Sequence, residues 1–220
     1  MTRPGYKLVI FDWDGTLMNS EARIVASVQE AARCCGLPVL PHEQSKQIIG
    51  LSLDKAILSL YPGVEPGLVV EMAQAYTQHF LHECQVEMQP YQGARNLLHS
   101  LKEEGVLLAV ATGKSRKGLD AVLEQSGFGD YFHITRTPVE SASKPDPLML
   151  KQILNQLNVG VEAAVMVGDT TFDMQMAQAI GMDRLALHHG VHSPEQLADF
   201  HPTAEFADLA GLHAWLLGEA

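Results

Sequence analysis

Four aspartates and one lysine are the residues of this chain whose types and spacing best fit catalysis. Asp12 and Asp14 flank a tryptophan, Asp169 and Asp173 lie four positions apart, and Lys144 precedes a proline. If a fold gathered them, their charges would sum to about −3, and like charges about 4 Å apart repel by about 4 kcal/mol at an effective dielectric constant of about 20. The group therefore predicts a cation that these side chains do not supply.

The predicted cation is Mg²⁺. Oxygen donors without histidine or cysteine favour this ion, which takes a few carboxylates, several waters and a phosphate oxygen. We expect Asp169 to hold the metal. Asp173, one helical turn later, would orient either a metal-bound water or Lys144.

Asp12 is the predicted nucleophile of a phosphoryl transfer. Once Mg²⁺ and Lys144 balance the local charge, a carboxylate can attack an anionic phosphoryl group. Asp14 would lie beside the leaving oxygen, give it a proton, and then take a proton from the attacking water. Asp12, Asp14 and Lys144 are therefore candidate catalytic residues.

The transferred phosphate needs donors of its own. Thr112, a fourth candidate catalytic residue, follows the apolar run Val106 to Ala111, and a helix is predicted shortly afterwards. Backbone N–H groups near the start of a helix bind phosphate oxygens. We therefore expect the Thr112 hydroxyl and the N–H groups of Gly113 and Lys114 to bind the substrate. Gly50, which lies between two predicted helices, could also reach it.

Short apolar strands alternate with helical segments and predict a doubly wound, Rossmann-like α/β core. The carboxyl ends of parallel strands meet at one edge of such a sheet, so the candidate residues would converge there. The predicted strands are Tyr6 to Phe11, Val106 to Ala111, Tyr131 to Ile134, Ala163 to Val167, Arg184 to Leu187 and, as a short edge strand, Thr203 to Phe206.

A helical segment interrupts this pattern directly after the first strand. We call residues 17–89 the insert, and we predict that it is an all-helical domain of about 70 residues, far longer than an ordinary loop. The core domain would comprise residues 1–16 and 90–220. Two chain crossings would let the insert move as a lid over the site. Its predicted helices are Ser20 to Cys35, Pro41 to Ile49, Leu53 to Leu60 and Pro66 to Val86.

The composition limits the classes of binding partner and the cellular compartment that we expect for this chain. The chain has 220 residues, with 26 acidic against 15 basic residues and a formal net charge of −11. This charge repels polyphosphate backbones and anionic lipids, which argues against nucleic-acid and membrane binding. The amino terminus has no apolar signal core, and no apolar run reaches the roughly 20 residues that span a bilayer. We therefore expect a cytoplasmic protein, whose oligomeric state stays open.

Four motifs together resemble the haloacid dehalogenase superfamily of phosphatases, in its phosphoglycolate phosphatase-like group. They are Asp12-Trp-Asp-Gly-Thr-Leu17, Thr112-Gly-Lys114, Lys144-Pro145 and Gly168-Asp-Thr-Thr-Phe-Asp173, and the resemblance covers nearly the whole chain. It implies an aspartyl-phosphate mechanism and a Mg²⁺ held by Asp12, the backbone carbonyl of Asp14 and Asp169. Whether Asp173 also contacts the metal stays open. The insert would be a helical cap that selects a small phosphorylated metabolite.

Related activities fit the sequence less well. Asp14 argues against a haloalkanoate dehalogenase, which has no leaving alcohol to protonate. An enzyme like β-phosphoglucomutase would carry an arginine soon after the cap glycine, and Gly50-Leu-Ser-Leu-Asp54 has none. A phospho-accepting receiver module shares the Asp, Thr and Lys set, but here the long insert follows the first acidic pair. We predict hydrolysis of a small phosphate monoester and keep the mutase and the receiver as alternatives.

Overall fold

A computed structural model describes residues 5–218, so residues 1–4 and 219–220 of the predicted core lie outside the described part. A six-stranded parallel sheet forms its centre, in the order β5-β4-β1-β6-β7-β8. The other two strands form a separate ribbon. In chain order the strands are β1 (Leu8–Phe11), β2 (Met18–Asn19), β3 (Gln89–Pro90), β4 (Leu107–Ala111), β5 (Ile134–Arg136), β6 (Ala164–Gly168), β7 (Asp183–Leu187) and β8 (Ala204–Phe206).

Helices cover both faces of the sheet. The helices are α1 (Glu21–Cys34), α2 (His42–Ser45), α3 (Leu53–Leu60), α4 (Pro66–Gln78), α5 (Ala94–Glu103), α6 (Arg116–Ser126), α7 (Leu148–Leu157), α8 (Thr171–Gln178), α9 (Pro194–Ala198) and α10 (Leu209–Leu217). Side chains alternate along β1. Val9 and Phe11 join the apolar cluster that includes residues of α5, α6 and α10, whereas Leu8 and Ile10 join the cluster of α7 and α8. The predicted α/β fold class is confirmed.

β1 lies in the middle of the sheet, between β4 and β6. Phe11 is opposite Val110 of β4 and Val167 of β6, so these strands end at nearly the same level. The chain builds one side of the sheet with β4 and β5 and then returns to build the other side with β6, β7 and β8. Ligand sites form where a sheet of this kind reverses its order. The loops after β1, β4 and β6 therefore frame the candidate site.

The insert is built mainly from α1 to α4, and residues of α1, α3 and α4 share one apolar cluster with a face of the sheet. Helix α1 packs along α4. A π-helical turn, His79–Glu83, follows α4 and buries Phe80. The helix predicted to reach Val86 is therefore shorter, because the backbone becomes extended at Cys84. Within residues 5–218, no helix is long and apolar enough to cross a bilayer.

Two further local predictions were wrong. The strand predicted from Tyr131 to Ile134 is shifted: Gly129–Tyr131 is a short 3-10 turn, and β5 begins only at Ile134. The aromatic ring of Tyr131 packs edge-to-face on Phe128 instead of projecting from a strand. The insert is also not entirely helical, because β2 and β3 pair antiparallel where the chain enters and leaves it. Strands of two residues are too short to show a periodic pattern.

Candidate active site

The turn after β1 buries Asp12 and Asp14 at the central strand. Trp13 between them is fully buried. Its ring packs edge-to-face on Phe128 and Phe132, at centroid distances of 6.2 and 6.4 Å. The aromatic contacts fix the turn to the core, so the two carboxylates are held by the sheet and not by a mobile loop.

Asp169, the first residue after β6, lies directly against this turn. Gly15 has a φ of 81°, and a Cβ at that position would collide with the Asp169 carboxylate, so only glycine fits. Asp169 Oδ1 accepts a hydrogen bond from Thr16 Oγ1 at 2.7 Å, and its Oδ2 accepts one from the backbone N–H of Val191 at 2.9 Å. These bonds fix the orientation of the carboxylate.

Lys144 joins two of the aspartates in the interior. Its Nζ lies 2.6 Å from Asp12 Oδ1 and 2.6 Å from Asp173 Oδ1, and the side chain is fully buried. Asp173 Oδ2 accepts hydrogen bonds from Oγ1 and N of Thr170, in a capping box that begins α8. The start of α8 therefore positions Asp173, which in turn helps to position Lys144.

Asp12, Asp169 and Asp173 offer carboxylate oxygens that all lie within 4.8 Å of one another. Burial raises the pKa of Asp12 well above its ordinary value; Lys144 opposes this shift, and the neighbouring aspartates add to it. Burial and the charge of Asp173 raise the pKa of Asp169 to about 7, against the pull of Thr16 and Val191. Buried carboxylates with raised pKa values fit a divalent metal ion, because the positive charge would favour their charged forms.

Asp14 has different neighbours. Its Oδ1 lies 3.0 Å from Nζ of Lys114 and accepts a hydrogen bond from Ser20 Oγ at 2.6 Å. The motif residues predicted one lysine against four carboxylates, but Lys114 is a second lysine at the site, so the local charge is −2 instead of −3. A divalent cation would bring it to zero before a substrate binds.

The loop after β4 carries the residues predicted to bind phosphate. Thr112 is fully buried, and its Oγ1 accepts a hydrogen bond from the backbone N–H of Lys114 at 3.3 Å. A Cβ on Gly113 would collide with the carbonyl oxygen of Gly50 in the insert. The structure therefore brings Gly50, Gly113 and Lys114 together at one pocket, and Thr112 is buried next to them.

One contact between insert and core is made by residues 50–52, which we call the seat. A Cβ on Gly50 would lie 3.3 Å from Thr170 Oγ1, and the backbone N–H of Ser52 donates to Ser143 Oγ at 2.9 Å. The seat therefore rests on the loops that hold Gly113, Lys144 and Asp173. Beside it, between the insert and the phosphate loop, is a pocket of about 80 Å³.

Sequence reasoning missed several residues that support the site. Thr16 and Thr170 lie inside the quoted motifs, and a hydroxyl so close to the motif aspartates could have suggested the side-chain hydrogen bonds that they make. Ser20 was predicted only as the first residue of a helix, but its side chain makes no capping bond and donates a hydrogen bond to Asp14 instead. The partner of Ser143 is 91 positions away, so no local pattern could have indicated it.

Comparison with known proteins identifies the family. A family model described as haloacid dehalogenase-like hydrolase matches residues 9–187. "Probable phosphatase IndB" from Dickeya dadantii is 33% identical over 219 residues, which cover 95% of this chain and 94% of the relative. "Phosphoglycolate phosphatase" from Vibrio cholerae is 27% identical over 214 residues, covering 94% and 95%.

A solved structure shows the same fold. The crystal structure of a haloacid dehalogenase-like hydrolase from Bacteroides fragilis is 21% identical and superposes with a TM-score of 0.88, over 94% of this chain and 99% of that one. The resemblance and the enzyme class predicted from the motifs are confirmed, because the family consists of hydrolases and the relatives above are named phosphatases. This chain belongs to the haloacid dehalogenase-like hydrolase family.

Proposed function

We propose that this chain is a Mg²⁺-dependent phosphatase that hydrolyses small phosphate monoesters through a phosphoryl group carried by Asp12. One observation carries the proposal. Asp12 Oδ1 is paired with the buried ammonium of Lys144, while Asp12 Oδ2 is buried and has no hydrogen-bond partner among residues 5–218. A buried carboxylate oxygen beside a cation, with nothing of its own to bind, suits attack on phosphorus.

Asp12, the backbone carbonyl of Asp14 and Asp169 would hold Mg²⁺. Asp173 is already ion-paired with Lys144, whereas Asp169 has no ion pair among the described residues. We therefore assign Asp169 to the metal and Asp173 to the positioning of Lys144. When bound, the ion would withdraw negative charge from the phosphate oxygens and screen Asp12 from them.

Two carboxylates, Asp12 and Asp14, account for every bond and proton that the reaction transfers. Asp12 Oδ2 forms a bond to phosphorus as the ester P–O bond breaks, and Asp14 gives its proton to the leaving oxygen, which departs as an alcohol. Water then attacks the same phosphorus, Asp14 takes its proton, and the bond to Asp12 breaks to release inorganic phosphate. Lys114 would turn from Asp14 to the phosphate when substrate binds, so that Asp14 can carry a proton.

The insert would act as the cap over this reaction. We propose that residues 17–89 move relative to residues 1–16 and 90–220 about the crossings at β2 and β3, and that the seat closes the site. A mutase would need cations for a second phosphate, but no arginine lines the pocket among the described residues. Hydrolysis therefore remains the better supported reaction, with a small phosphorylated metabolite as its predicted substrate.

The proposal is tested by phosphate release from a broad panel of phosphorylated metabolites. We expect release with Mg²⁺, none with excess chelator, and a loss of at least about 10³-fold in Asp12→Asn with no loss of folding. Asp130→Asn, an exposed aspartate outside the site, is the matched control. Acid-quenched wild type should hold an acyl phosphate that hydroxylamine removes. Undiminished hydrolysis by Asp12→Asn or in chelator would overturn the proposal.

A further inference from the structure

The pocket beside the seat begins at the proposed acid, Asp14. Asp14, Gly113 and Lys114 line it on the core side, and residues of α1, α3, α4 and the π-helical turn line it on the insert side. Because Asp14 must reach the leaving oxygen, the rest of the alcohol has to lie in or against this pocket. The chemistry of the pocket walls therefore selects the leaving group.

The walls contributed by the insert are almost entirely apolar. Tyr76 and Phe80 stack there, with ring centroids 5.6 Å apart and planes at 20°. Burial, with the charge of Asp14, raises the pKa of Tyr76, so its hydroxyl stays neutral. The hydroxyl makes no hydrogen bond with the described residues. The aliphatic side chains around these rings include Ile24, Val28, Ile49, Leu53 and Ala56.

The cations near the pocket are already engaged. Among the described residues that line it, Lys114 is the only cationic side chain. It is paired with Asp14 at 3.0 Å, and in the proposed reaction it turns to the phosphate when substrate binds, so in neither state is it available to a second anion. Arg23 lies 5.3 Å from the centroid of the Phe80 ring and does not line the pocket. Its guanidinium donates to the backbone carbonyls of Phe80 and Val86. A carboxylate placed in this pocket would therefore be buried without a cation of its own, which is costly.

We infer that this pocket takes an uncharged, apolar leaving group and that the enzyme discriminates against phosphate monoesters whose leaving group carries a carboxylate. The inference rests on the proposed function, because it takes Asp14 as the group beside the leaving oxygen. 2-Phosphoglycolate, the compound in the name of the Vibrio cholerae relative, carries such a carboxylate. We expect it to be a poor substrate of this chain.

Two esters of nearly equal shape test the inference. Isobutyl phosphate has two methyl groups where 2-phosphoglycolate has two carboxylate oxygens, so the pair differs chiefly in charge. With Mg²⁺ present, we expect kcat/KM to be at least about tenfold higher for isobutyl phosphate, because the carboxylate loses its hydration without gaining a partner.

A variant that supplies a cation sharpens the test. Leu53, at the start of α3, is half-buried and lines the pocket, so Leu53→Arg places a guanidinium at its edge. Leu58, on the same helix, is 48% exposed and does not line the pocket, so Leu58→Arg is the matched control. We expect Leu53→Arg to shift the kcat/KM ratio about tenfold towards 2-phosphoglycolate and Leu58→Arg to change it less than about twofold.

The outcomes separate this inference from the proposed function. An equal or higher kcat/KM for 2-phosphoglycolate in the wild type overturns the inference alone, as does failure to hydrolyse isobutyl phosphate while other monoesters are hydrolysed. Failure to hydrolyse any monoester overturns the proposed function as well. The wild-type comparison does not depend on whether Leu53→Arg folds.

Discussion

The edge of the sheet and the pocket under the insert lie side by side, but the edge is built from buried ionisable side chains and the pocket mainly from apolar ones. At the sheet edge, Asp12, Asp169, Asp173 and Lys144 are all fully buried ionisable groups. In the pocket, the side chains contributed by the insert are uncharged. Among the ionisable residues of the described range 5–218, only Asp14 and Lys114 belong to both regions, and they are paired with each other.

Under the proposed function, this difference assigns the reaction to the sheet edge and the choice of substrate to the insert. Buried charges are tolerable only when each has a partner, so the sheet edge has a narrow range of acceptable residues. An apolar wall can be built from many combinations of side chains of suitable volume. The sheet edge can therefore keep one reaction while the insert adapts to a different leaving group. Substitutions at the edge should affect turnover with every substrate, and substitutions in the insert should change substrate preference.

The largest effect is expected at Lys144. Lys144→Met keeps the length of the side chain but leaves Asp12 and Asp173 without their shared ammonium. We expect kcat to fall by about 10³-fold, since the phosphoryl group loses a fixed cation. The free energy of unfolding should fall by about 3–5 kcal/mol, because a buried ion pair loses one partner.

Urea unfolding and steady-state kinetics, both measured with Mg²⁺, check this prediction. Lys151→Met on α7 is the control, because Lys151 is exposed and should tolerate the change with less than about 0.5 kcal/mol of effect. If Lys144→Met and Lys151→Met behaved alike, the claim that buried charge dominates the sheet edge would be wrong.

A metal-specific effect is expected at Asp169. Asp169→Asn can keep both of its hydrogen bonds, with its amide oxygen accepting from Val191 N and its amide nitrogen donating to Thr16 Oγ1. We expect the metal-free protein to be at least as stable as the wild type, because one buried negative charge is removed. Saturating Mg²⁺ at about 100 times Kd should stabilise the wild type by about 2.7 kcal/mol and the variant by much less.

Thermal melts over a Mg²⁺ titration measure this difference. Activity at a fixed Mg²⁺ concentration should fall by about 10²-fold, a smaller loss than at Lys144, because loss of a ligand weakens metal binding and the remaining groups stay in place. Equal stabilisation of Asp169→Asn and wild type by Mg²⁺ would place the metal elsewhere.

The contrast between the sheet edge and the pocket also explains what the sequence could predict. The core strands and the order of the motifs were predictable because buried parallel strands are apolar runs that end in polar turns. β1 and β6 were predicted to within two residues, and Asp12, Asp169 and Lys144 were expected at one edge of the sheet. The charge sum of these residues alone predicted a missing cation.

What the sequence could not predict depends on contacts between distant segments. Lys114 was expected to bind phosphate, but its ion pair with Asp14 spans 100 positions and changes the charge of the site. The apolar pocket is formed by helices whose relative packing does not appear in their periodicity. Tyr76 and Phe80 were predicted only as part of a helix from Pro66 to Val86, although they line the pocket that is proposed to take the leaving group.

The smallest effect is expected where the two regions touch. Gly113→Ala keeps the backbone N–H that is proposed to bind phosphate, but its Cβ would collide with the carbonyl oxygen of Gly50. The seat must then lift, which we expect to lower kcat/KM by about tenfold and to destabilise the fold by about 1–3 kcal/mol. Gly129→Ala is the control, because a Cβ there meets no atom within 4 Å.

Hydrogen exchange at a single amide can distinguish a lifted seat from a damaged phosphate loop. The backbone N–H of Ser52 donates to Ser143 Oγ at 2.9 Å across the contact between insert and core. Its exchange should be faster in Gly113→Ala and unchanged in Gly129→Ala, because local opening sets the exchange rate. If activity fell while Ser52 stayed protected, Gly113 would act through the phosphate alone. The reaction at the sheet edge would then not depend on the contact between residues 50–52 and the core.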